Sequence, residues 1–159
     1  MKTSLGLAVA AVLLLTGEAE AQRAQGSVFD QIFSGPIQAG PRFGRDFKNK
    51  AWLLGGQIVA PVGESFQLRP SGDLLFPRGE KMGWQLNGDV AVQYQGVFGG
   101  GGIAFVHPHD GDTETGYNLF LGVSTAEPQD RSKGFLEFRW TVLDEARPFR
   151  LVLGFLFQL

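Results

Sequence analysis

Over Trp84–Gln95 the side chains alternate. Trp84, Leu86, Gly88, Val90, Val92 and Tyr94 fall on one parity, and Gln85, Asn87, Asp89, Ala91, Gln93 and Gln95 on the other. Successive side chains of a β-strand point to opposite faces, so this segment can separate an apolar medium from a polar one. A helix cannot use the pattern, because a repeat of about 3.6 residues would scatter both sets around its circumference.

The same period returns along the chain. In Trp52–Val62 the apolar parity is Trp52, Leu54, Ile58, Ala60 and Val62; in Tyr117–Ser124 it is Tyr117, Leu119, Leu121 and Val123. In Phe135–Val142 it is Leu136, Phe138, Trp140 and Val142, against Glu137, Arg139 and Thr141. In Phe66–Phe76 it is Phe66, Leu68, Leu74 and Phe76, against Gln67, Arg69, Ser71 and Asp73. Pro70 interrupts that run and predicts a bulge or a break, because proline cannot donate to a ladder. Weaker strands are read at Pro36–Phe43, Ile103–His107 and Phe149–Leu159. Turn residues separate the runs at Gly44–Lys50, Pro61–Glu64, Pro77–Gly83, Gln95–Gly102, Pro108–Gly116, Glu127–Lys133 and Asp144–Pro148. About eight strands with short connections predict an all-β fold: a single antiparallel up-and-down barrel. No helical period of useful length follows the first segment.

That first segment has its own signature. Met1–Ser4 carries one positive charge, Leu5–Leu15 is apolar, and Ala19-Glu20-Ala21 is a small-x-small cleavage site. This is the pattern of a secretory signal peptide over residues 1–21, with the mature chain beginning near Gln22. The apolar stretch is too short for a spanning helix, which needs about 20 residues. Residues 22–35 are read as a lead-in and 36–159 as the barrel domain. There is no cysteine, which excludes disulfides, a lipid-modified cysteine and any thiolate metal site. Removing Lys2, Glu18 and Glu20 takes the formal charge from −2 to −1. Nucleic-acid binding is not expected, since it calls for a concentrated basic surface.

Alternation does not say which face is inside. A barrel can be apolar within and wet outside, like a lipocalin, or polar within and lipid-facing outside. Three features favour lipid. The polar faces are mostly Gln, Asn, Ser and Gly, whereas a solvated surface carries mixed Lys and Glu. After the leader the only lysines are Lys48, Lys50, Lys81 and Lys133, all at turns or their borders. Trp52, Trp84, Tyr94, Tyr117 and Trp140 fall on the apolar faces, mostly near strand ends, as aromatic girdles at two bilayer interfaces require. The run Phe149–Leu159 has a continuous apolar parity, about 11 residues long, which is the length of a tilted spanning strand.

The leader, the eight-strand meander and the final RLVLGFLFQL resemble the small OmpA/OmpX-type outer-membrane barrels of Gram-negative bacteria. The resemblance covers essentially the whole mature chain and rests on pattern rather than on a unique motif. It implies outer-membrane lipid as the surroundings and the barrel-assembly machinery as a partner during biogenesis, reading Phe155, Phe157 and the last residue. Family members usually end in an aromatic residue; this chain has Leu159 there, which implies a variant signal.

The polar parities collect Gln67, Arg69, Asp73, Gln85, Asn87, Asp89, Gln93, Glu137, Arg139 and Arg150. Inside a narrow barrel the charges must pair, because an isolated buried charge is prohibitively costly. A hairpin around Leu143–Ala146 brings Glu137 within direct or diagonal reach of Arg150. A gated channel is one reading and a structural plug the other; eight strands leave room only for side chains, which favours the plug. His107-Pro108-His109-Asp110-Gly111-Asp112 could in principle hold a divalent metal, but it reads more simply as a polar turn. Some barrels of this kind modify lipid A with Ser, His and an acid. Here the residue two after His107 is His109 rather than Ser, and Ser124 lies on a polar face, so no catalytic set is assigned. Gly99–Gly102 is not a phosphate loop, since neither Lys-Ser/Thr nor a helix follows. The expected role is thus a non-catalytic envelope or surface-interaction barrel without cofactor, metal or a specific protein partner. The alternatives are a soluble lipocalin-like barrel, with Trp84, Phe138 and Phe155 lining a cavity, and a lipid-modifying enzyme using His107, His109 and Ser124. If the first strand runs outward, Gly44–Lys50, Pro77–Gly83, Pro108–Gly116 and Asp144–Pro148 face the exterior.

Overall fold

A computed structural model describes residues 33–159 apart from 80, 109–110, 126–130 and 145. The leader, nearly all of the lead-in, His109 and Asp110 therefore lie outside the described residues. The strands are β1 (Gln38–Asp46), β2 (Ala51–Val62), β3 (Phe66–Leu68), β4 (Ser71–Phe76), β5 (Gly83–Tyr94), β6 (Val97–His107), β7 (Glu114–Ser124), β8 (Ser132–Val142) and β9 (Phe149–Gln158). All pairings are antiparallel, and β1 pairs with both β2 and β9, which closes the sheet.

β3 and β4 are two parts of one stave, so the barrel has eight. Ala60 faces Leu68 and Gln57 faces Ser71 in one unbroken register, and on the other side Leu68 faces Val90 while Ser71 faces Asn87. Pro70 thus breaks the stave without inserting a residue, and the bulge reading is not needed. Its carbonyl still accepts from the Ile58 N–H at 2.9 Å, and Arg69 N–H donates to Asp89 O at 2.8 Å. Only the donor that proline lacks is lost.

Several strands run further than the turn residues suggested. β1 continues through Gly44 to Asp46, and the hairpin is confined to residues 47–50. β6 begins at Val97, so Gly99–Gly102 is strand and not turn. The connection there is Gln95-Gly96 alone, with φ of 47° and 81° between the paired Tyr94 and Val97. Two positive φ values make the two-residue turn whose twist matches the flanking strands. Likewise β7 and β8 start at Glu114 and Ser132, ahead of the expected Tyr117 and Phe135.

Several inward glycines have a packing reason. Gly102 lies beside the Asp89 carboxylate, and Gly55 beside that of Asp73; a Cβ at either position would collide. Gly122 faces the Phe98 ring and Gly154 the Phe135 ring in the same way. Inward-pointing bulk on one stave is accommodated by an inward glycine on a neighbouring one. Glycine weakens a strand intrinsically and is placed where another group approaches closely.

Candidate functional site

Burial follows the parity of every stave. Along β5, Gly83, Gln85, Asn87, Asp89, Ala91 and Gln93 are buried, while Trp84, Leu86, Gly88, Val90, Val92 and Tyr94 are exposed. Most large apolar side chains lie on the outside, and eight charged side chains of the strands lie within. Arg42, Arg69, Arg139 and Arg150 are at most 3% exposed, as are Asp46, Asp73, Asp89 and Glu137. Four guanidinium groups thus meet four carboxylates in a space removed from water.

Their arrangement is a ladder through the lumen. Arg139 holds Glu137 through Nε at 2.8 Å and Asp89 through Nη1 at 2.7 Å. Arg69 reaches the other oxygen of Glu137 at 3.4 Å, from the opposite side of the barrel. Arg42 Nε lies 2.9 Å from Asp73 Oδ1, a charge pairing rather than an aligned hydrogen bond; its Nη1 donates to Gln57 Oε1 at 3.2 Å. Arg150 Nε donates to Asp46 Oδ2 at 3.1 Å, and its Nη1 donates to Gln85 Oε1. Asp46 in turn accepts from the Asn49 backbone N–H at 2.9 Å, which ties the ladder to the first hairpin.

Amides join the ion pairs. Asn118 donates to Asn87 Oδ1 and Asp89 Oδ1, both at 2.9 Å, and accepts from the Thr141 hydroxyl at 2.9 Å. Asn87 donates to Ser71 and Asp73, and Gln67 donates to Gln93. Every member predicted for an inward network is therefore inside, but one pairing differs from expectation. Arg150 stands opposite Arg139 and diagonal to Glu137, as the parity argument required. It pairs with Asp46, its direct partner across the β1–β9 register, while Arg139 and Arg69 take the two oxygens of Glu137.

The lumen is not uniformly polar. Val59, Ala91, Phe98, Phe120, Phe135, Val152 and Leu156 form a buried apolar layer. Leu53, Leu75, Ala104 and Val106 form a second, with Leu143 against it. The Arg69 guanidinium lies 4.0 Å from the Phe98 ring centroid and 5.8 Å from those of Phe120 and Phe135, and Arg139 lies 4.8 Å from Phe120. Ring faces attract desolvated cations, so these rings support the arginines packed against them. At the end formed by the 63–65 and 95–96 turns, a mouth of about 680 Å³ opens, with Gln38, Gln67, Gln93, Lys133 and Gln158 in its wall.

Outside, Trp52 stacks on Phe43 at 5.2 Å, Trp84 on His107 at 5.3 Å, and Trp140 packs on Phe149 at 5.0 Å. These and Tyr117 mark the end of the barrel that carries the 47–50 and 77–82 connections. Tyr94, 72% exposed, marks the other, together with Phe66, Phe155, Phe157 and Leu159. The expected girdle residues are thus all on the outer wall, four toward one end and one at the other. Trp84, Phe138 and Phe155, which the lipocalin-like alternative placed in a cavity, are outside, and this overturns it.

Of the three residues of the enzyme alternative, His109 lies outside the described residues and the other two are far apart. His107 ends β6 beside Trp84, with Nδ1 3.1 Å from Thr113 Oγ1, whereas Ser124 ends β7 beside Gly96 at the opposite mouth. Among the described residues no group of three His, Cys, Asp or Glu is placed to hold a metal. Arg42 and Asp46 are members of the network that sequence reasoning missed. Arg42 sat in a weak strand, and Asp46 was absorbed into a turn; continuing the β1 alternation through Gly44 would have found both.

The chain is similar to the N-terminal β-barrel domain of OprF from Pseudomonas aeruginosa, with a TM-score of 0.65 at 16% identity over 77% of this chain and 96% of that one. It is also similar to a de novo designed transmembrane β-barrel (TM-score 0.54, 11% identity, 79% and 96% covered) and to the designed barrel TMB2.3 (0.52, 12%, 79% and 94%). No family model and no curated protein matches it. The fold is a closed eight-stave antiparallel barrel, the architecture of these solved barrels.

Proposed function

We propose that this protein is an integral outer-membrane barrel whose filled lumen gives it a structural or surface-interaction role in the envelope, without catalysis. The observation that carries the reading is the inverted partition: four arginines and four carboxylates within, and a continuous apolar wall without. In water that wall would associate or aggregate, whereas lipid is its natural solvent and polar groups belong in the lumen. Export through the leader over residues 1–21, and insertion by an assembly machinery engaging the Phe155, Phe157 and Leu159 face, belong to the same reading.

A plugged lumen follows from the layers. Buried ion pairs and two clusters of buried apolar side chains share the interior, and eight staves leave room for little besides side chains. The test is to fractionate cells and then reconstitute the purified protein in planar bilayers. The protein is expected in the detergent-extracted envelope fraction and to give no steady conductance. Recovery in soluble periplasmic extract would overturn the membrane reading, and steady unitary currents would overturn the plug.

A further inference from the structure

The end of the barrel bearing the tryptophans is electrically lopsided. The 47–50 and 77–82 connections are adjacent, because Trp52 pairs with Phe76. With Arg45, this sector presents Lys48, Lys50, Arg78 and Lys81; its acids in sequence are Glu80 and Asp46, and Asp46 is turned inward to Arg150. The opposite half carries Asp112, Glu114 and Asp144, with Arg147 as its cation.

Arg45 fixes the depth of the basic sector. It leaves β1 on the outer wall, half-buried, and its guanidinium lies 4.6 Å from the Trp52 ring centroid. Trp52 is itself stacked on Phe43 within the aromatic belt. Such belts sit at headgroup level, so Arg45 is held where the apolar wall ends, with the exposed lysines one turn beyond. A second copy would have to meet this sector with loop carboxylates above the belt, whereas lipid phosphates lie at its level. The geometry favours lipid.

We infer that the sector formed by Arg45, Lys48, Lys50, Arg78 and Lys81 around Trp52 binds anionic lipid headgroups of the surrounding leaflet. The inference rests on the membrane-barrel reading. Phosphate-bearing headgroups complement the cations, and the acidic half of the same rim repels them, so lipid is gathered on one side of the barrel.

The full chain is reconstituted into vesicles of phosphatidylcholine alone and of phosphatidylcholine mixed with phosphatidylglycerol. Failure to insert into either defeats the membrane reading itself. Once inserted, lipid retained by the protein is measured by native mass spectrometry after extraction into mild detergent. Phosphatidylglycerol is expected to be enriched over phosphatidylcholine, and the triple change Arg45→Gln, Lys48→Gln and Lys50→Gln to lower that enrichment by up to about fivefold per cation. Asp112→Asn with Asp144→Asn should leave it in place or raise it. Enrichment in the unaltered protein should also fall with added salt, a reading that needs no variant to fold. Equal retention of both lipids, an unaltered preference in the triple variant, or a salt-sensitive dimer in place of bound lipid would each overturn the inference.

Discussion

Arg139 is the strongest point at which to perturb the lumen. It is 1% exposed and bridges two carboxylates, Glu137 at 2.8 Å and Asp89 at 2.7 Å, with its guanidinium against Phe120. Arg139→Met keeps a long apolar stem and removes the charge. Glu137 then retains only the 3.4 Å approach of Arg69, and Asp89 retains the Asn118 amide. Breaking a buried pair from one side leaves an uncompensated charge and costs about 3–5 kcal/mol. Asp89→Asn alone costs a comparable amount, since it leaves a surplus cation. Arg139→Met with Asp89→Asn removes one charge of each sign, leaving three arginines facing three carboxylates and Glu137 still paired with Arg69. The double variant should therefore recover at least about 2 kcal/mol relative to the sum of the singles, within the range of coupling for groups in one network. The assay is urea unfolding of protein folded into phosphatidylcholine vesicles, followed by tryptophan fluorescence. With a slope of about 1–3 kcal/mol per molar urea, the single changes shift the midpoint by one to several molar. Strict additivity of the two changes would refute the claim that the charges act as a coupled set.

Other expectations follow from the same partition. Gly122→Val should cost about 1–3 kcal/mol by forcing the Phe98 ring and the β8 backbone apart, whereas Gly88→Val, where an added Cβ meets nothing within 4 Å, should be near neutral in the same unfolding assay. Val90→Arg, on the outer wall between Trp84 and Tyr94, should cost about 2–4 kcal/mol in vesicles, against about 0–1 for Tyr94→Arg at the edge. His107→Ala and Ser124→Ala should leave the lipid composition of expressing cells unchanged; an altered acyl-chain profile would revive the enzyme alternative.

The fold was legible because the outer wall and the lumen carry opposite chemistry on alternate residues. Trp84, Leu86, Val90, Val92 and Tyr94 could be assigned to one face without knowing which face was inside. Two things were harder to read. Strand ends were hidden by glycine: Gly44 and Gly99–Gly102 look like turn residues, but they are strand, and the inward Gly44 and Gly102 lie against inward Val152 and Asp89. Pair identity was hidden by the closing register. Parity placed Arg150 diagonal to Glu137, but the carboxylate it meets is Asp46, directly opposite it across the closing β1–β9 pair, and that register cannot be read from the β8–β9 hairpin. The inner Phe98–Phe120–Phe135 layer was missed for a related reason, since two of its members sit in runs read as polar or as turn.

The reach of the arginines also bears on how the barrel closes. The backbone ladder joins each stave to its neighbours only. Arg69 to Glu137 and Arg150 to Gln85 join staves on opposite sides, and Arg139 to Asp89 joins staves three apart. A slip of one residue in any stave would turn its inward set outward. For β8 that would carry Glu137 and Arg139 into the wall, where an arginine at the bilayer midplane costs about 2–4 kcal/mol. It would also leave Asp89 and Arg69 facing apolar side chains. Pairing energy alone is a weak argument for buried ion pairs, because desolvation offsets much of it. The penalty for a wrong register is not offset in this way, since a slipped stave loses the partner and exposes the charge to lipid at once. The ladder is therefore better understood as a device that specifies one stagger among eight similar staves than as a source of net stability.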